Sequence, residues 1–234
     1  MPLHDHFHPP LSRLFQWQSF HHAWATVLAF DINRGLPPGY FAQPSVHLTV
    51  EYDVSALRRH GASPASGGYD PGDPSLTLAT ATALDSAEVQ VISTEEGPVL
   101  VGAIDLVSPS NKASPDERTA FVDKCAALLR RRVGLVVIDI VTSRLANLHL
   151  ELSRRIDAAG TPIDAGLYAV SYRFEPAGDR GRVTAWERSL ELGRPLPTMP
   201  FWLRDLCVPV ELEAAYQRTW DGLHMGPHTG NGAA

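Results

Sequence analysis

Asp105 is the sole charge in the apolar run Val99–Val107, and it stands just before that run breaks at Ser108-Pro109-Ser110. A carboxylate in such a run is costly unless it is paired, hydrogen-bonded or bound to a cation. Ligands of open α/β sheets gather outside the carboxyl ends of strands, which is where Asp105 falls. Two readings follow: a ligand for a cation, or a carboxylate held by backbone amides or by an arginine. Glu51 and Asp53 sit two apart in the alternating run Val46–Val54, so a strand puts both on one face. If that strand neighbours Val99–Val107, three carboxylates converge. A hard cation such as Mg²⁺ takes one or two carboxylates plus waters. The alternative is a solvated polar face. Lys112 and Lys124 stand out because the chain has few lysines. Either could steady negative charge developing on a substrate, and a surface lysine without a role is the alternative.

Other residues offer weaker chemistry. His4, His6 and His8, with His21-His22, are ligand types, but a metal site also needs partner geometry that an irregular arm does not supply. Packing or hydrogen bonding is the reading for His22. Cys125 and Cys207 have no metal-ligand spacing and are too few for a disulfide framework, so both read as inert thiols. Asp139 lies inside the apolar run Leu135–Val141 and reads as structural, with a role near the site as the alternative. The five tryptophans are scattered, and core packing is their default.

The elements that must position these residues are legible from periodicity. Phe20, Ala23, Trp24, Val27, Leu28 and Phe30 recur at helical spacing, which predicts a helix over Gln18–Asn33. Ser19 is its candidate cap, and Gly35 with Pro37-Pro38 ends it. Val46–Val54 alternates as a half-buried strand. Residues 58–75 read as a long loop, and Leu76–Leu84 and Glu88–Ser93 as strands. Glu95-Glu96-Gly97-Pro98 is a turn that pairs Glu88–Ser93 with Val99–Val107 as a hairpin. Ser114-Pro115-Asp116-Glu117 has the form of a capping box. The helix it opens carries Phe121, Cys125, Leu128 and Leu129 on one stripe and ends in Arg130-Arg131-Arg132, suited to the negative end of its dipole. Leu135–Val141 then reads as a central strand buried on both faces, parallel to Val99–Val107 through a right-handed crossover. Leu148–Ala158 is a helix candidate, Gly166–Phe174 with Arg182–Glu187 a second hairpin, and Val210–Trp220 a closing helix. Pro195, Pro197 and Pro200 mark an extended stretch between them.

The whole chain sets the class. It has 234 residues, 44% hydrophobic and 20% charged, with a formal charge of −6. This is the composition of a globular protein. The net charge gives no support to an extended nucleic-acid surface, although a local basic patch is compatible with it. No apolar run approaches the roughly 20 residues needed to span a bilayer, and the start Met-Pro-Leu-His-Asp-His lacks the pattern of a signal peptide. The expectations are a cytoplasmic location, no membrane partner, an irregular arm over residues 1–16, one domain over 17–222 and a loose tail over 223–234. A homodimer is left open.

The run Asp105-Leu106-Val107-Ser108-Pro109-Ser110-Asn111-Lys112 resembles a bacterial group, domain-of-unknown-function family 4058. Phe20-His21-His22 with Leu36-Pro37-Pro38-Gly39-Tyr40 resembles that family's N-terminal helix and turn. Tyr52-Asp53-Val54, Leu135–Ile140 and Pro195–Pro200 are similar to further family segments, so the resemblance extends along most of the chain. The family is similar to Uma-like putative endonucleases and, through them, to the PD-(D/E)XK nuclease superfamily. The resemblance implies a restriction-endonuclease-like α/β fold (α+β, with a mixed sheet flanked by helices) and an added C-terminal hairpin. It also implies metal-dependent hydrolysis of nucleic acid. It puts Asp53 and Asp105 in the role of Mg²⁺ (or Mn²⁺) ligands; Glu51, placed on Asp53's face by the alternation, could assist. The superfamily's lysine slot is Val107, so the resemblance leaves Lys112 or Lys124 to supply the positive charge. A second expectation is a catalytically inactive binding module that retains the nuclease fold.

Overall fold

The computed structural model describes residues 2–47, 86–95, 97–157, 161–177 and 180–226. Two helices open it, the short α1 (Leu11–Leu14) and the long α2 (Trp17–Gly35). Then follow strands β1 (Tyr40–His47), β2 (Ser86–Ser93) and β3 (Val99–Leu106). A 3₁₀ turn at Ser110–Lys112 leads to α3 (Pro115–Arg130) and β4 (Gly134–Asp139). After α4 (Leu148–Arg155) come β5 (Tyr168–Ala177) and β6 (Arg180–Ser189). A last hairpin, β7 (Thr198–Leu203) and β8 (Leu206–Glu211), precedes α5 (Leu212–Gly222).

The described strands β1 to β6 form one sheet in chain order. Only β3 and β4 run parallel, and the other neighbours are antiparallel. This is an α+β fold with a mixed sheet flanked by helices. The crossover between β3 and β4 is set locally. Ser114 Oγ accepts the Glu117 N–H at 3.2 Å, Pro115 fills the first helical position, and Asp116 and Glu117 face the positive end of the helix dipole. All six residues of β4 are buried, as expected for a strand covered on both sides.

Alternation in β3 and β4 divides the core in two. Ile104, Leu106, Val136 and Ile138 face a cluster built with Phe20, Trp24 and Leu28 of α2, Tyr216 of α5, and Phe201 and Leu203 of β7. Ala103, Leu135 and Val137 face the opposite cluster, with Phe121, Cys125 and Leu129 of α3, Leu152 of α4, and Tyr168 and Tyr172 of β5. The β7–β8 hairpin lies flat on the first face because Gly102 and Gly134 are cross-strand partners there. A Cβ on Gly134 would come 1.7 Å from the Trp202 carbonyl oxygen, and one on Gly102 would come 2.4 Å from Leu203.

Several expectations shift. Helix α2 starts at Trp17, and its N-cap is Gln16 with no side-chain cap bond, so Ser19 is inside the helix rather than its cap. The first strand starts at Tyr40, ahead of the expected Val46, because Asn33 ties the backbone of Ala42 through two hydrogen bonds of 2.7 and 2.8 Å. The proline-marked stretch is not simply extended: Thr198–Leu203 pairs with Leu206–Glu211, with Pro200 facing Pro209 across the ladder. Val210 therefore belongs to β8, and the closing helix begins at Leu212. The expected loop over 58–75 and the strand Leu76–Leu84 lie outside the described residues. Part of the segment 2–16 packs into the first core: Leu3 and His6 are buried, and Phe7, Leu11 and Phe15 lie against it. Leu3 exchanges backbone hydrogen bonds with Gly193 and Arg194, both 2.9 Å. No helix among the described residues is long and apolar enough to cross a membrane.

Candidate functional site

Asp105 points into the α3 side of the sheet and is completely buried. Its register partner on β2 is Glu88, and its partner on β4 is Val137. Paired residues on neighbouring strands share a face, so Glu88 and Asp105 stand side by side. Glu88 is itself buried. This pairing depends on a β-bulge. Ser93 faces Val99 and Ile92 faces Leu100, but Val91 then faces Gly102, so Val101 is the extra residue. An unbroken ladder from the same turn would set Ala87 opposite Asp105.

The chain has only two lysines, and each ends on a buried strand carboxylate. Lys124 Nζ lies 2.6 Å from Asp105 Oδ2. The contact is an ion pair without hydrogen-bond alignment, and Asp105 Oδ1 has no donor among the described residues. Lys124 is bent against its usual habit. Lysines ordinarily bury the stem and keep the ammonium in water. Here the side chain is 30% exposed while the nitrogen is enclosed, 5.1 Å from the Phe121 ring centroid. Burial pushes the ammonium's pKa down, but Asp105, with Glu88 beyond it, outweighs burial and holds it above the ordinary lysine value. Cys125, next along α3, is pushed well up by burial and then by Asp105. It is a neutral thiol, not a nucleophile.

Lys112 goes elsewhere. Its Nζ is 2.6 Å from Asp139 Oδ2, with both side chains fully buried, and it donates to the Arg144 carbonyl at 3.3 Å. The Ser-Pro-Ser-Asn-Lys run explains how it gets there. Asn111 Oδ1 accepts the Ser108 N–H at 2.8 Å and the Ser108 hydroxyl at 2.9 Å, which closes a knot and delivers Lys112 onto β4. Asp139 also accepts the Val141 N–H at 3.1 Å. Burial raises its pKa, and Lys112, Val141 and Tyr168 pull it back, leaving it at about 6.

Beyond Asp139 the polar chain continues through residues that sequence reasoning passed over. Tyr168 OH accepts the His149 N–H at 3.1 Å. The His149 ring bridges Tyr172 OH through Nδ1 and Glu187 Oε1 through Nε2, both at 2.6 Å. Burial lowers the His149 pKa and Glu187 offsets part of that. Tyr168 and Tyr172 are four apart on β5, so their shared face was readable. His149 and Glu187 come from distant elements, and no local signal joins them.

The remaining candidates separate. Glu51 and Asp53 lie outside the described residues. His6 is buried against Tyr216, with 2.7 Å between Nε2 and OH. His21 Nε2 donates to the Leu106 carbonyl at 2.8 Å, fastening α2 to the end of β3. Among the described residues no group of three or more His, Cys, Asp and Glu side chains could hold a metal ion. Two carboxylates, Glu88 and Asp105, are the donors present, and a Mg²⁺ that keeps several waters fits that number. No family model, curated protein or solved structure matches the chain.

Proposed function

We propose that the protein is a metal-dependent phosphodiesterase acting on nucleic acid, with Asp105 at the centre of its site. The observation that carries this reading is an ammonium turned inward onto a buried strand carboxylate that has a second carboxylate beside it. Asp105 Oδ1 and Glu88 are the donors for Mg²⁺ or Mn²⁺, joined in this proposal by Asp53, as the resemblance to nuclease-like families implies, and by Glu51 two residues before it. A bound divalent ion would supply an activated water and neutralise phosphate charge. Lys124 takes the part that Val107 cannot. It reaches the carboxylate from the helix instead of from two residues along the strand, and it steadies charge on the phosphoryl oxygens. Lys112 positions the end of β4 through Asp139.

The test is incubation with DNA and RNA of varied structure in Mg²⁺ or Mn²⁺. Cleavage is expected to disappear in Asp105→Ala and to fall at least tenfold in Lys124→Met. Cleavage that survives Asp105→Ala unchanged removes the assignment. One observation favours a second reading, a binding module without catalysis: Asp105 is wholly enclosed and already has a cationic partner. Calorimetry with Mn²⁺ separates the two, because the module reading expects no binding to the folded protein.

A further inference from the structure

At the other end of the sheet, the end of α3, the β5–β6 hairpin and the β7–β8 turn surround a cavity of about 610 Å³. Its walls carry Arg131, Arg132, Arg173, Arg182 and Arg204, with Glu175 and Asp205. Five guanidiniums against two carboxylates leave a formal +3, in a chain whose total is −6. We propose that this cavity binds a small molecule carrying a polyphosphate group.

Three observations converge. The first concerns the backbone. Arg132 and Arg204 both have left-handed φ, 60° and 59°, where glycine is the unstrained residue. Each ends an element, α3 and β7, and at both places a glycine would relieve the backbone. Strain of this kind is retained at ligand sites when the side chain is needed. Asp157 and His224, just past α4 and α5, share this left-handed geometry, so a helix end by itself accounts for the backbone at Arg132; what the cavity adds is that both turns facing it carry an arginine.

The second observation is pre-organisation. The Arg173 guanidinium lies over the Trp202 ring at 3.9 Å and contacts Glu175 at 3.4 Å and Asp205 at 3.2 Å. Its Nε is buried with no acceptor among the described residues. Arg132 lies over the Phe174 ring at 5.6 Å. That ring in turn lies on Gly181, where a Cβ would come within 1.9 Å. Guanidiniums held flat by aromatic rings present their in-plane N–H edges for bidentate contact with phosphoryl oxygens; Arg132 spends none of its edge on an ion pair among the described residues, whereas Arg173 already spends two nitrogens on Glu175 and Asp205.

The third is unspent charge. Arg182 pairs with Glu175 at 2.8 Å, and both carboxylates of the cavity are taken by Arg173 and Arg182. Arg131, Arg132 and Arg204 have no ion pair among the described residues. A ligand with several negative charges on adjacent phosphoryl groups matches three unpaired cations around one concavity. The volume is that of a small-molecule site. The site does not depend on the hydrolysis reading, because Arg132 precedes β4, whereas Asp105 faces Val137 toward the other end of that strand.

The test uses the full chain and inorganic tripolyphosphate, titrated by calorimetry at about 0.15 M salt, where weak surface attraction is screened. Saturable binding with one site is expected. Arg132→Gly and Arg204→Gly are each expected to weaken it at least tenfold while leaving the melting temperature unchanged or higher. Nucleoside triphosphate is titrated in parallel. Tighter binding than tripolyphosphate assigns a nucleotide, equal binding assigns the polyphosphate alone, and both support the proposal. Absence of saturable binding overturns it. So does binding undiminished in the two variants, or a fall in melting temperature in both, which would make the arginines structural. Duplex DNA that displaces tripolyphosphate, and that loses affinity equally in the variants, also overturns it by making the cavity part of a nucleic-acid surface.

Discussion

Replacing Lys112 by Met keeps the length of the side chain and removes its charge from beside Asp139. In the native protein Asp139 has a pKa of about 6, against 3.8 ordinarily. The folded carboxyl therefore holds its proton where the unfolded one has lost it. Its contribution is fully present below about pH 4 and is lost as pH rises to about 6. The gap of about 2.2 pH units, at about 1.4 kcal/mol each, makes that loss about 3 kcal/mol. Above pH 6 the native curve is flat with respect to this group, because Lys112 stabilises the ionised form 2.6 Å away. In Lys112→Met nothing compensates an ionised carboxylate, and a buried charge left alone costs about 3–5 kcal/mol. The carboxyl stays protonated instead, and stability keeps falling by about 1.4 kcal/mol per pH unit above 6. Variant and native curves are thus expected to diverge by about 1 kcal/mol at pH 7 and about 3 kcal/mol at pH 8, beyond any constant offset. Urea unfolding at pH 6, 7 and 8 measures this. The double variant Lys112→Met with Asp139→Asn is expected to restore the native pH slope. A Lys112→Met curve that runs parallel to the native one from pH 6 to 8 would refute the reasoning.

Two other outcomes follow from the same structure. Burial lowers the His6 pKa to about 4, with His4 adding to the effect, so its contribution is present above pH 6.5 and is lost as pH falls toward 4. Unfolding between pH 6.5 and 4 is expected to show a loss of about 3 kcal/mol from this group, and it should vanish in His6→Gln; an unchanged slope counts against the buried neutral imidazole. Asp139 titrates with the opposite sign over part of that range, so the comparison is between variant and native protein, not of one curve alone. Gly134→Ala is expected to cost about 3 kcal/mol or more, since its Cβ meets backbone at 1.7 Å; a loss under about 1 kcal/mol would mean that the β7–β8 hairpin does not bear on β4.

The local signals transmitted well. The capping box at Ser114, the apolar run that became β4 and the two sheet hairpins could be read because each depends on neighbours in sequence. The site could be read only in part. Asp105 announces itself by being a charge among apolar residues, and both lysines by their rarity. Which lysine meets which carboxylate is a tertiary fact: Lys124 is one α-helical face away from Asp105, whereas the Asn111 knot commits Lys112 to Asp139. Glu88 escaped for a definite reason. The extra residue at Val101 changes the register of the hairpin by one, and a one-residue change exchanges the two faces of a strand. Counting back from the turn sends Glu88 to the wrong side. The arginine cavity was equally hidden, since its residues come from the end of α3, the β5–β6 hairpin and the β7–β8 turn, and its left-handed backbone has no counterpart in composition.

The bond between His6 and Tyr216 spans 210 positions, and Leu3 is tied to Gly193 and Arg194. Leu3 and His6 thus find their partners only after Gly193, Arg194 and Tyr216 have been made. At synthesis rates of about 5–20 residues per second, Leu3 and His6 wait on the order of ten seconds or more for them. From the completion of β4 until the β7–β8 hairpin is made, the face of β3 and β4 that receives that hairpin has α2 but not the hairpin to cover it, and Val101, Ile104, Val136 and Ile138 are less shielded from other chains. The protein's exposure to aggregation is therefore greatest while it is being translated, and holding chaperones acting on the nascent chain should raise its yield more than those acting after release.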